Sequence, residues 1–148
     1  MLSKLFSIVM SVILFIGSLL GIRLGPQQPP SDMITYSKDQ KVVTIAVSEN
    51  GSTGYTWKHQ ISDLTVLKLT DDTFLPPAGA DSGLVGAPGT RMLSFAGLRA
   101  GKATVTLQYL REWENKIPAR TIVIEITVSG DLTMQATLIS DLSPNSAK

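Results

Sequence analysis

From residue 41 the chain alternates between apolar and polar positions. In Lys41-Val42-Val43-Thr44-Ile45-Ala46-Val47 the large apolar residues stand at 43, 45 and 47. Successive side chains of an extended backbone point to opposite sides, so these three share one face of a strand. The same period of two returns in Tyr55, Trp57 and His59, in Leu64 to Leu69, and in Arg91 to Ala96. It returns again in Lys102 to Tyr109 and most clearly in Thr121 to Val128, where Ile122, Ile124, Ile126 and Val128 line one side. β-Branched residues dominate these runs, and Gly or Pro turns separate them. With a first strand near residue 33, this predicts an all-β fold, an immunoglobulin-like antiparallel β-sandwich of about seven to eight strands. Past residue 30 no helical period is long enough to compete. Residues Met134, Ala136, Leu138 and Ile139 fit either an added strand or a short helix.

The start of the chain has another pattern. Lys4 precedes an uncharged run from Leu5 to Leu20, and Arg23 follows it. A basic residue, an apolar stretch and small residues beyond it read as a signal peptide, although no clean A-x-A cleavage site is present. The run falls short of the roughly 20 residues of a spanning helix. A signal peptide, an uncleaved membrane anchor and a cytosolic helix are therefore the three readings of this hydrophobic helix. The first two place the rest of the chain outside the cytosol: secreted, or in a secretory, endolysosomal or periplasmic compartment. Residues 1–22 thus form the signal peptide or anchor, and 23–32 a Pro-rich linker whose prolines favour extended backbone. The sandwich domain is expected over 33–130 and a partly flexible C-terminal extension over 131–148.

Composition narrows the chemistry. The 148 residues are 43% hydrophobic, enough for one domain with a core. The net charge is +1, with the 13 Lys and Arg scattered, so nothing marks the chain for nucleic acid. With no cysteine there can be no disulfide, thiolate metal site or cysteine nucleophile. One histidine, His59, cannot build a histidine metal cluster, and on its strand it reads as a packed or edge residue rather than a general base. Asp71-Asp72 and the pair Glu112 and Glu114 read as solvated turn residues without ligand spacing. Gly83-Leu84-Val85-Gly86-Ala87-Pro88-Gly89 lacks the Gly-Lys-Ser/Thr ending of a phosphate loop. No metal, cofactor or catalytic residue is expected, and the domain is expected to be a monomer.

Three connections exceed the needs of a turn. They are Asn50-Gly51-Ser52-Thr53-Gly54, the run Pro76 to Gly89, and Arg111-Glu112-Trp113-Glu114-Asn115. They follow the second, fourth and sixth strands, and alternate connections of a sandwich emerge at one end. Each has a plain reading: a φ > 0 glycine at 54, a linker at 76–89, a core tryptophan at 113. Together, Arg and Trp beside two small-residue loops have the composition of a protein-binding tip.

These three loops resemble those of the chagasin-type inhibitors of papain-like cysteine peptidases. The family's first loop reads N-P-T-T-G-Y/F, matched by Asn50-Gly51-Ser52-Thr53-Gly54-Tyr55. Its second reads G-x-G-G, matched by Gly86-Ala87-Pro88-Gly89. Its third reads R-P-W/F, matched by Arg111-Glu112-Trp113. The resemblance spans about residues 33 to 129. Gly51 and Glu112 stand where the family has proline, Ser52 where it has threonine, and Pro88 at the third position of the glycine motif. The resemblance implies a reversible, non-covalent, tight-binding inhibitor that occludes the peptidase cleft with all three loops. Its partner would be a papain-like cysteine peptidase, with membrane attachment through residues 5–20 if they stay uncleaved. Ser52, Thr53 and Gly54 would approach the catalytic pair, Gly86 to Gly89 would lie along the cleft, and Trp113 would anchor, with Arg111 making polar contacts at the rim. An immunoglobulin-like adhesion or ligand-binding module using the same end is the alternative.

Overall fold

The computed structural model describes residues 33–77 and 86–143. The apolar segment and linker, residues 78–85 of the second loop and the last five residues lie outside this range. Eight strands form two four-stranded sheets: β1 (Ile34–Tyr36), β2 (Val42–Glu49), β3 (Thr56–Ile61), β4 (Leu67–Leu75), β5 (Gly89–Gly97), β6 (Gly101–Leu110), β7 (Arg120–Val128) and β8 (Met134–Leu142). The sheet orders are β1-β2-β5-β4 and β3-β6-β7-β8, and all neighbours are antiparallel.

The period of two becomes the core. Val43, Ile45 and Val47 of β2 are buried, as are Leu93 and Phe95 of β5, Val105 and Leu107 of β6, and Ile122, Ile124 and Ile126 of β7. Both sheets turn these residues into one cluster, with Trp57 at its margin. Removing each such side chain from water stabilises the fold by roughly 1.5–3 kcal/mol. The fold is the expected all-β, immunoglobulin-like sandwich.

Two elements depart from expectation. The alternation of Leu64 to Leu69 does not make a strand along its length. The Asp63 carboxylate accepts from the Thr65 N–H (2.8 Å) and hydroxyl (2.6 Å), forming a turn. β4 begins only at Leu67 and runs on to Leu75. Asp71 and Asp72, expected in a turn, therefore lie on a strand. They are tolerated because β4 is an edge strand, and Asp72 pairs with Arg91 of β5 (Nη2 to Oδ2, 3.0 Å). A bulge at Thr70 shifts the β4–β5 register between them and Leu69.

The open question after residue 130 resolves as a strand. β8 pairs along β7, burying Met134 and Ala136. Its outward backbone is partly claimed by β1 and the β1–β2 turn: the Met134 N–H donates to the Gln40 carbonyl (2.9 Å) and the Ala136 N–H to the Tyr36 hydroxyl (3.0 Å).

Candidate functional site

The connections β2–β3, β4–β5 and β6–β7 meet at one end. The first holds a single 3₁₀ turn, Gly51–Thr53. Asn50 caps it with extended backbone (φ −109°, ψ 93°), its Oδ1 accepting from the Ser52 N–H (3.2 Å) and hydroxyl (2.7 Å). The Thr53 hydroxyl closes back on the Asn50 carbonyl (2.7 Å). Gly54 ends the turn at φ 75°, a conformation that favours glycine, and its N–H reaches the Gly51 carbonyl.

Two bonds tie the loops together. The Asn50 side-chain amide donates to the Gly86 carbonyl of the second loop (3.0 Å). The Arg111 Nε donates to the Thr53 carbonyl from the third (2.9 Å). The Trp113 ring lies over Gly54 so closely that a Cβ there would stand 2.5 Å from the ring edge. Trp113 is nevertheless 72% exposed, which removes the core reading of that residue.

The predicted site residues separate by exposure. Gly51, Ser52, Thr53, Gly86, Pro88, Glu112 and Trp113 are exposed, and Gly54, Tyr55 and Ala87 are half-buried. Gly89, expected along the binding edge, is buried: a Cβ there would overlap the Phe74 ring and the Leu75 carbonyl oxygen. Its place shapes the loop from beneath. Arg111, expected to make polar contacts at the rim, is half-buried and already bonded within the tip. Its Nη1 donates to Glu114 (2.9 Å), and its guanidinium sits 4.5 Å above the Tyr55 ring. The Glu114 carboxyl is held below its ordinary value, first by the hydrogen bond from Arg111 and then by Lys116. Glu112, at a proline position of the motif, forms an ion pair with Lys58 of β3.

Beneath the loops runs an aromatic column of which the motifs include only Tyr55. Tyr109 stacks between Tyr55 (5.2 Å) and Trp57 (4.9 Å). Its hydroxyl accepts from the Asn50 N–H (3.0 Å), so the core holds the first loop directly. The Trp57 Nε1 donates to the Ser48 carbonyl (2.9 Å), and its backbone N–H donates to the buried Glu49 carboxylate (3.3 Å), whose other oxygen faces Arg91 at 3.7 Å. The inward parity of β2 and β6 already placed Glu49 and Tyr109 on the core side. A carboxylate on an apolar face was the signal that could have found the first.

Arg120 closes the column 5.9 Å from the Trp57 ring and makes a two-point pair with Asp141 of β8 (2.8 and 2.6 Å). This hydrogen bonding holds the Asp141 carboxyl below its ordinary value of 3.8. A lowered carboxylate contributes stability above its unfolded value, and that stability is lost as pH falls through the folded one. Asp141→Asn is therefore expected to cost about 0.5–1 kcal/mol at neutral pH. In urea unfolding, the gap to wild type should close as the pH drops below 3.8.

The model of the chagasin family of peptidase inhibitors, I42, matches residues 37–128. The chain belongs to this family. The crystal structure of the cysteine protease inhibitor EhICP2 from Entamoeba histolytica is similar at a TM-score of 0.52 and 31% identity. That match covers 60% of this chain and 78% of that one. No curated protein matches. Chagasin-family membership places the chain among inhibitors rather than enzymes.

In this chagasin-family chain, Gly51 opens the 3₁₀ turn after an extended residue, and its N–H donates no hydrogen bond among the described residues. A Cβ at 51 would meet nothing within 4 Å. Proline suits the first position of such a turn. Gly51→Pro is expected to raise stability by about 0.4–1 kcal/mol in denaturant titration, mainly by restricting the unfolded chain.

Proposed function

We propose that the chain inhibits papain-like cysteine peptidases reversibly and without covalent chemistry, acting as a monomer through its three joined loops. The observation that carries this reading is the bonded tip: Asn50 to Gly86 and Arg111 to Thr53, with Trp113 exposed beside the small first loop. Gly51 to Thr53 form a narrow prong whose side chains leave room for a close backbone approach. The prong is a tight turn closed by internal hydrogen bonds, so it does not offer a peptidase the extended strand that cleavage requires. Trp113 is the anchor, an aromatic of the kind that dominates interface energies. The second loop contributes backbone groups, with Pro88 offering a carbonyl and no N–H. With no thiol in the chain, occlusion is non-covalent. Because internal bonds already order the first and third loops, little entropy is lost there on binding.

The test is titration of the full chain against papain and against the serine peptidase subtilisin. Stoichiometric loss of papain activity that returns on dilution, with subtilisin untouched, is the expected result. Inhibition of neither enzyme would remove the reading.

The apolar run Leu5 to Leu20 supports a place outside the cytosol, secreted or within a secretory, endolysosomal or periplasmic compartment. If uncleaved, the same run would leave the inhibitor attached to a membrane. N-terminal sequencing of the exported protein distinguishes the two forms.

A further inference from the structure

The two most exposed large apolar side chains among the described residues are Trp113 (72%) and Ile117 (84%). Both stand on the β6–β7 connection, four residues apart, and Ile117 lies outside all three motifs. An aliphatic side chain so exposed adds nothing to the core, yet the loop that presents it is firmly held. The Glu114 N–H donates to the Arg111 carbonyl (3.1 Å), and the Ala119 N–H to the Tyr109 carbonyl (2.8 Å). Glu114 pairs with both Arg111 (2.9 Å) and Lys116 (3.2 Å).

Ile117 borders a hollow of about 210 Å³, whose apolar wall is completed by Tyr55, Leu110 and Ala119. Arg111 and Lys116 on its rim both bond the one Glu114 carboxylate, so the cluster keeps one net positive charge but neither cation is without a partner. Tyr55 and Arg111 belong to the joined tip as well, so the hollow continues that surface rather than forming a separate one.

We infer that Ile117 and this hollow form a fourth contact of the inhibitory edge, seating an apolar side chain from the rim of the target peptidase. The inference rests on the inhibitor reading above. Apolar anchors in a desolvated patch carry interface energy, and a pre-ordered loop keeps the cost of burying them low.

Inhibition constants against papain are measured for the full chain and for Ile117→Ala, Ile117→Asp and Leu64→Asp. Leu64, 70% exposed, sits on the β3–β4 connection at the opposite end and serves as the control. Ile117→Asp is expected to weaken inhibition about tenfold or more, and Ile117→Ala by a smaller factor. Leu64→Asp should leave inhibition unchanged, and thermal melting should hold for all three, as for most exposed positions. Wild type inhibiting while both Ile117 variants match it would overturn the contact and leave the inhibitor reading intact. Equal weakening by Leu64→Asp would overturn it too. Sedimentation revealing a dimer that depends on Ile117, with inhibition unaltered, would assign the surface to a second copy of the chain. Wild type failing to inhibit papain would remove the inhibitor reading itself, and this contact with it.

Discussion

Replacing Trp113 with alanine is expected to weaken inhibition of papain by roughly 30-fold or more, the equivalent of about 2 kcal/mol for a central aromatic anchor. The melting temperature should stay within about three degrees of wild type, because truncating an exposed side chain rarely moves stability by more than about 0.5 kcal/mol. The two readouts separate two roles. The indole covers Gly54 but keeps most of its surface in water, so the folded state gains little from it and a partner can gain much. Unchanged inhibition would deny Trp113 the anchor role. A fall of about ten degrees in melting temperature would instead make the ring a structural prop of the first loop.

The chain's other tryptophan should behave in the opposite way. Trp57→Ala is expected to cost about 3–5 kcal/mol in denaturant unfolding and to lower the melting temperature by about ten degrees or more. Trp57 is 4% exposed, stacked on Tyr109 and bonded through Nε1 to the Ser48 carbonyl. Its removal leaves a cavity beneath the loops and an unmatched carbonyl. Trp57→Phe keeps much of the ring packing and loses the Nε1 bond, so a milder cost of about 1 kcal/mol is expected. Melting of Trp57→Ala within a few degrees of wild type would mean that the column does not hold this end together.

Much of the sandwich was legible because the period of side chains on a strand is fixed. Val43, Ile45 and Val47, and the four apolar residues from Ile122 to Val128, are buried as their parity requires. Parity failed where local chemistry interrupts it. Around Leu64 the Asp63 turn mimics an alternating strand, while the true strand β4 carries Asp71 and Asp72 because its outer edge faces water. Near Ile139 a bulge shifts the β7–β8 register by one residue. Leu138 and Ile139 thus fall side by side in a way that also fits a helix.

The loops were legible for a different reason: small residues and an exposed-type Trp–Arg pair exceed what turns require. Their bracing was not. The Arg111 to Thr53 bond joins residues 58 apart in sequence, and the Asn50 to Tyr109 bond joins residues 59 apart. No local window holds both partners of such a bond. That is why the internal bonds of Arg111 were not legible, and why Tyr109 drew no attention.

The bonds from β8 to Gln40 and Tyr36 bear on how the protein behaves when concentrated. An exposed sheet margin recruits the margin of another molecule, and the sheet then grows from chain to chain. At Met134 and Ala136 the donors that such an incoming chain would need are already taken, one by a carbonyl of the β1–β2 turn and one by the phenol of β1. Stacking of copies from this stretch would first have to break bonds that hold the domain itself together. Tyr36 thereby occupies a donor that strand addition along this stretch would need, at the end of the sheets opposite the three loops.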